Sequence, residues 1–207
     1  MSARDRFASL YGHTRCALCG ETACPGDCDP PPAVEDRVLH ERQEAERYYK
    51  RYMAAIDAVG RAAGKLTAVH PDALMQRPGL SVKLSAIHPR FEPGKEERLA
   101  RELVPRLVEL AANARARGLT VTVDAEEQDR LDVTLGVFGT ALLDPALDGW
   151  SGLGLAVQAY GRRAIPLLRW LKRLSERSGK RIPVRLVKGA YWDSEIKWAQ
   201  ERALADY

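Results

Sequence analysis

The chain has 207 residues, is 45% hydrophobic, and carries 32 Lys and Arg against 28 Asp and Glu, for a net charge of +4. That is long and apolar enough for an ordinary hydrophobic core. The basic residues are spread along helical segments instead of forming a tract, which argues against a nucleic-acid footprint, and no apolar run reaches the ~18 residues of a membrane span.

The opening MSARDRFASLYGHTR has no apolar signal-peptide core, so a cytoplasmic protein is expected. All the cysteines fall in one short stretch, Cys16, Cys19, Cys24 and Cys28, with His13 just upstream. The C-x2-C-x4-C-x3-C spacing suits a small zinc knuckle, because closely spaced thiolates can wrap a tetrahedral ion. A second C-x2-C is missing, however, so no metal ligands are assigned. Residues 1–36 end in CDPPPAVED and read as an unassigned head with a proline linker.

Residues 37–79 form a helical lead-in. Val38, Tyr48, Tyr49, Tyr52, Ile56 and Val59 recur at helical spacing, which predicts a core-facing stripe ended by Gly60 and Gly64. From residue 80 the pattern changes. In LSVKLSAIHPRFEP, Ser81, Lys83 and Ser85 alternate with Leu80, Val82, Leu84 and Ala86, as in a strand with one polar face. Helices packed outside would cover the apolar face, leaving Lys83 to point inward, where it needs a carboxylate. His88 is read as structural.

A helix over Lys95–Arg117 with Leu99, Leu103, Leu107 and Leu110 on one face precedes a second strand, GLTVTVD, with Asp124 at its C-terminal end. Glu126, Glu127 and Asp129 follow, either as acid–base groups or as ordinary residues matching a helix dipole. A helix through Val133–Leu143 leads to a third strand, GLGLAVQAY, which ends at Gln158. Gly152 and Gly154 are not a dinucleotide fingerprint, because no third glycine opens a helix. After a helix over Ile165–Arg177 comes PVRLVKGAYWDSEIKWAQ, a strand turning into an amphipathic helix that opens with Asp193 and Glu195. Four strands, each followed by a helix, predict a parallel α/β protein.

Four blocks, SVKLSAIHPRFEP, TVDAEE-x-DRL, GLGLAVQAY and RLVKGAYWDSEIKWAQ, together with AERYYKRYMAAIDAVG ahead of them, closely resemble the proline dehydrogenase domain of the long bacterial bifunctional proline-utilisation flavoenzymes. The resemblance covers roughly residues 40–207. It implies a (β/α)8 TIM-type barrel, of which residues 80–207 supply about four βα units. It further implies FAD-dependent oxidation of L-proline to 1-pyrroline-5-carboxylate, with electrons passed to a quinone at the membrane. Carried over residue by residue, Lys83 contacts the substrate carboxylate and Asp124 pairs with Lys83. Gln158, Arg185, Val187, Ala190 and Trp192 hold the flavin. Tyr191 is expected beside the substrate pocket and joins Lys83 and Asp124 as a catalytic candidate, whereas Lys188 has the position of a site residue without a defined role.

The family's later strands and its paired arginines have no counterpart in the sequence up to Tyr207. An open half-barrel is therefore expected to expose an edge and an apolar inner face, to favour self-association, and to have little activity alone. Two other readings stand beside this one: a non-catalytic half-barrel that dimerises or binds flavin, and a zinc-knuckle interaction protein that works through its cysteine head.

Overall fold

The computed structural model describes residues 32–64 and 76–204. The chain divides into two compact units, Met1–Gln43 and Glu44–Tyr207. The helix α1 (Pro32–Ala63) supplies the described residues of the first unit and opens the second. It begins earlier than expected, inside the stretch read as a linker. Pro32 stands at its first position, where a missing N–H costs no intrahelical bond and the fixed φ already suits a helix. Cys16, Cys19, Cys24 and Cys28 lie outside the described residues.

The rest of the second unit runs β1 (Gly79–Val82), a one-turn α2 (Leu84–Ile87), α3 (Glu96–Ala116), β2 (Thr120–Val123), α4 (Leu131–Leu142), β3 (Leu153–Gln158), α5 (Ala164–Ser178), β4 (Val184–Val187) and α6 (Trp192–Glu201). Short 3-10 turns at Gln128–Arg130 and Pro145–Leu147 flank α4. The strands pair in parallel and in chain order, β1-β2-β3-β4. Parallel neighbours cannot be joined by a hairpin, so each pair needs a crossover, and a helix supplies it every time. This is the repeating unit of a barrel wall.

Register decides which residues share a face. Val82 pairs with Val123, Val123 with Leu155, and Leu155 with Val184, placing four branched side chains in one row. The first three are buried beneath the helices, with Val121, Leu153 and Val157 on the same face. Leu99, Leu103, Leu107 and Leu110 of α3 and Val137 and Phe138 of α4 meet that face in a continuous core. Each large side chain buried this way contributes roughly 1.5–3 kcal/mol. The opposite face carries Ser81, Thr122, Gly154, Ala156 and Arg185, which are polar or small. The expectation of an exposed apolar inner face is therefore corrected. The exposed apolar residues of the edge strand β4 are Val184 and Leu186, the latter 61% exposed, and they lie in the rows of the helix-covered face.

In α1 the core stripe is Tyr49, Tyr52, Met53, Ile56 and Val59, while Val38 and Tyr48 are exposed. Tyr48 lies one position off the stripe, and three arginines and a lysine share its neighbourhood in sequence. Arg47 and Arg51 stack over its ring at 5.8 and 5.6 Å, giving it a cation–π role on the surface. Tyr52 reaches the sheet: its hydroxyl accepts the backbone N–H of Lys83 at 3.3 Å, just where β1 ends.

His88 is structural, as expected. It is buried, its Nδ1 accepts the Arg90 N–H at 3.2 Å, and its Nε2 lies 3.1 Å from Glu102 Oε2. With Nδ1 an acceptor, Nε2 must carry the proton and donate to Glu102. Burial lowers the His88 pKa below its ordinary value of 6.5, against the opposing pull of Glu102. Above that value both folded and unfolded imidazoles are neutral. Below it the unfolded chain binds a proton that the folded one resists, so stability falls with acidification. Thermal unfolding followed from about pH 8 to about pH 5.5 should therefore show a steeper loss for the wild type than for His88→Gln, which does not titrate. Parallel curves would remove His88 from this account.

Candidate active site

The C-terminal ends of the parallel strands bring the candidate residues together, the end of a βα sheet where side chains converge without helices covering them. Asp124 immediately follows β2, and its N–H is bound by the Val82 carbonyl at 2.9 Å, which extends the ladder one residue. Its row continues through Ala156 of β3 to Arg185 of β4. Two strand spacings, about 10 Å, separate Asp124 from Arg185. Because the residue between them is only an alanine, the long arginine can reach across. Arg185 Nη2 donates to Asp124 Oδ1, and Nη1 donates to Ser81 Oγ on β1 at 2.7 Å. One guanidinium thus ties β4 to β2 and β1.

This differs from the expected pairing of Asp124 with Lys83. β1 ends at Val82, and Lys83 follows it with extended backbone at the N-cap of α2. Among the described residues Lys83 makes no ion pair, and its side chain is exposed. Its charge is felt at Tyr191. Burial raises the Tyr191 pKa first, Glu127 and Glu126 push it further, and Lys83 and Arg130 pull it back. The tyrosine therefore stays a neutral hydroxyl at physiological pH, set among two carboxylates and two cations.

Gln158 is buried at the end of β3. Its Nε2 donates to the Glu126 carbonyl at 2.9 Å, while its Oε1 has no hydrogen-bond partner among the described residues. A buried acceptor left open costs about 1–3 kcal/mol, which a ligand N–H could offset. Glu126, only 6% exposed, is held by the Ser85 N–H on Oε1 at 3.1 Å and by Arg130 at 3.5 Å on Oε2. It braces the loop against which Gln158 is fixed.

Val187 pairs with Gln158 in register. Ala190 and Lys188 are exposed in the turn after β4, and Trp192 begins α6 with 45% of its surface open. The site thus combines a fixed cation, a buried acceptor awaiting a donor and an accessible aromatic plane. Such a set suits a planar heterocycle bearing an N–H and gaining negative charge. Sequence reasoning did not single out Ser81 or Ala156, whose roles depend on register. It left Glu126 open between an acid–base group and an ordinary helix-start residue, and it noted Glu195 only as one of the acidic residues opening the last helix.

The proline dehydrogenase family model matches residues 34–207. The bifunctional protein PutA of Rhizobium meliloti is 45% identical over 173 residues, 82% of this chain and 13% of that protein. The Salmonella typhimurium protein of the same name is 41% identical over 164 residues, 79% of this chain and 12% of that one. A crystal structure of a proline utilization A mutant from Bradyrhizobium japonicum matches with a TM-score of 0.73 at 51% identity, over 80% of this chain and 16% of that chain. Proline utilization A from Bdellovibrio bacteriovorus, at 26% identity, still matches with a TM-score of 0.70 over 79% of this chain and 18% of that chain. This chain therefore spans a small part of the length of these relatives, and its βα units are a segment of a TIM-type barrel.

Proposed function

The chain belongs to the proline dehydrogenase family, a family of flavoenzymes, and we propose that the protein carrying it oxidises L-proline to 1-pyrroline-5-carboxylate with FAD as cofactor. In that reaction the ring carbon beside nitrogen gives up a hydride, the nitrogen gives up a proton, and a C=N bond forms. The chemistry FAD supplies when bound is acceptance of that hydride.

The observation that carries this reading is the open Gln158 Oε1 beside the Arg185–Asp124 row. The pyrimidine edge of a flavin has an N–H flanked by carbonyls, and Gln158 offers it an acceptor. Arg185, anchored at both nitrogens, provides a cation that need not reorganise as negative charge grows. Trp192 supplies an aromatic wall, with Val187 and Ala190 lining the turn. Lys83, unpaired by any carboxylate in the described residues, is placed to meet the carboxylate of proline. Asp124 serves the site by fixing Arg185, and Tyr191, neutral, borders the substrate. β1 through α6 make up this part of the barrel, with α1 as its helical lead-in.

We assign electron transfer onward to a quinone, which places the protein in the cytoplasm with peripheral contact to a membrane. Among the described residues no helix is long and apolar enough to cross one. The Bdellovibrio bacteriovorus relative is inactivated by N-propargylglycine, a proline-sized amino acid, and the same compound should inactivate this protein if the pocket is shared.

The direct test is proline-dependent reduction of a quinone analogue by purified full-length protein. Lys83→Ala should raise the proline KM about tenfold or more, the value of a charge-assisted bond, with little change in flavin content. An unchanged KM would remove Lys83 from the substrate site.

A further inference from the structure

The loops after β2, β3 and β4 carry the site, yet few ladder bonds hold them. One carboxylate connects all three. Glu195, in the first turn of α6, accepts the backbone N–H of Gln128 on Oε1 at 3.0 Å and the Tyr160 hydroxyl on Oε2 at 2.5 Å. Gln128 belongs to the loop after β2 and Tyr160 to the loop after β3.

The contact extends in both directions. The Tyr160 ring lies so close to Gly189 that a Cβ there would come within 2.3 Å of Tyr160 Cδ1, and Gly189 has φ +147°, a conformation other residues rarely adopt. The turn after β4 is thus moulded to the ring whose hydroxyl Glu195 holds. On the other side, Gln128 follows Glu126 by two residues, and the Glu126 carbonyl anchors the Gln158 amide. Glu195 also lies one helical turn beyond Tyr191 and Trp192, and its N–H donates to the Tyr191 carbonyl at 3.0 Å.

We infer that Glu195 is a positioning residue, a clip that sets the separation between the Gln158 wall and the Trp192 wall of the flavin site. The inference rests on the function proposed above. Without the clip, α6 keeps its helical bonds but loses its register against the two neighbouring loops, and the two walls no longer present one fixed gap to a planar ligand.

The test uses full-length protein as wild type, Glu195→Ala, Glu195→Gln and Tyr160→Phe. It reads FAD affinity, the circular dichroism of bound flavin, thermal unfolding, and hydrogen exchange at the Gln128 amide without flavin. Glu195→Ala should speed exchange at Gln128, weaken FAD binding about tenfold and alter the flavin dichroism, with a lowered unfolding midpoint but a cooperative transition, since the core is unchanged. Glu195→Gln should recover most of the affinity, since its amide oxygen still accepts from Gln128 and its NH2 can donate to the Tyr160 oxygen. Tyr160→Phe should fall between them. An Ala variant that binds FAD with wild-type affinity and dichroism overturns the clip, whatever its exchange behaviour. A wild type that takes up no FAD overturns instead the function on which the clip depends.

Discussion

Replacing Arg185 with Met is expected to weaken FAD retention on the order of 100-fold and to lower the rate of proline oxidation in whatever enzyme remains loaded. Met matches the aliphatic stem in length and leaves the strand intact, so the change isolates the guanidinium. Two hydrogen bonds vanish with it, one to Asp124 and one to Ser81. Each charge-assisted bond is worth about 1.5–3 kcal/mol, and losing the cation also leaves the Asp124 carboxylate without its partner in a half-buried setting. Growing negative charge at the cofactor would then face a carboxylate alone. Flavin content measured by absorbance against protein, followed by steady-state kinetics of the reconstituted variant, checks both parts. Wild-type flavin content and kinetics would show that the Arg185 bridge serves only to tie strands. Arg185→Lys should recover little, because an ammonium is a single point donor that cannot bridge to Ser81 and Asp124 in the same fork.

The second large effect is expected at Gly154→Val. Gly154 lies on β3 beside the edge strand, and a Cβ at that position would approach the Pro183 carbonyl oxygen to 2.6 Å. The obstacle is backbone, which cannot rotate away as a side chain would. The branched valine must therefore push the start of β4 off β3, at a cost of about 1–3 kcal/mol by the measure of other overpacked interiors. Pairing of Leu155 with Val184 and of Ala156 with Arg185 would weaken with it. The variant should lose both stability in chemical denaturation and FAD affinity, and unlike Arg185→Met it leaves the Asp124 and Ser81 bonds of the guanidinium chemically available. If Gly154→Val unfolded like the wild type, the close approach of β3 and β4 would be wrong.

Much of this was legible in the sequence for local reasons. The alternation from Leu80 to Lys83 assigns Val82 to the helix-covered face and Ser81 to the other, as the burial of Val82 bears out, whereas Leu84 is buried in α2 and not in a strand. The leucine stripe of α3 and the break at Gly118 fix that helix from its own spacing. The family blocks then place the strands in one barrel. What stayed hidden depends on register between distant segments. Asp124 and Arg185 are 61 residues apart, and only the alignment of β2, β3 and β4 reveals that Ala156 separates them and leaves room for the bridge. A lysine at the end of a polar alternation looks like the natural partner of the aspartate, but the Asp124 carboxylate is taken by Arg185, which comes from a strand two places away. Glu195 was hidden for a different reason. An acidic residue in the first turn of a helix is already explained by the dipole, so nothing local signals that its two oxygens are committed to Gln128 and Tyr160.

The measurement that tests the central claim most directly is the absorbance of the flavin in purified full-length protein before and after L-proline is added without oxygen. The account predicts that FAD copurifies or is taken up on mixing, and that proline bleaches its visible band while 1-pyrroline-5-carboxylate accumulates in equal amount. A protein that binds FAD but keeps its visible band unchanged in saturating proline would contradict the proposed reaction.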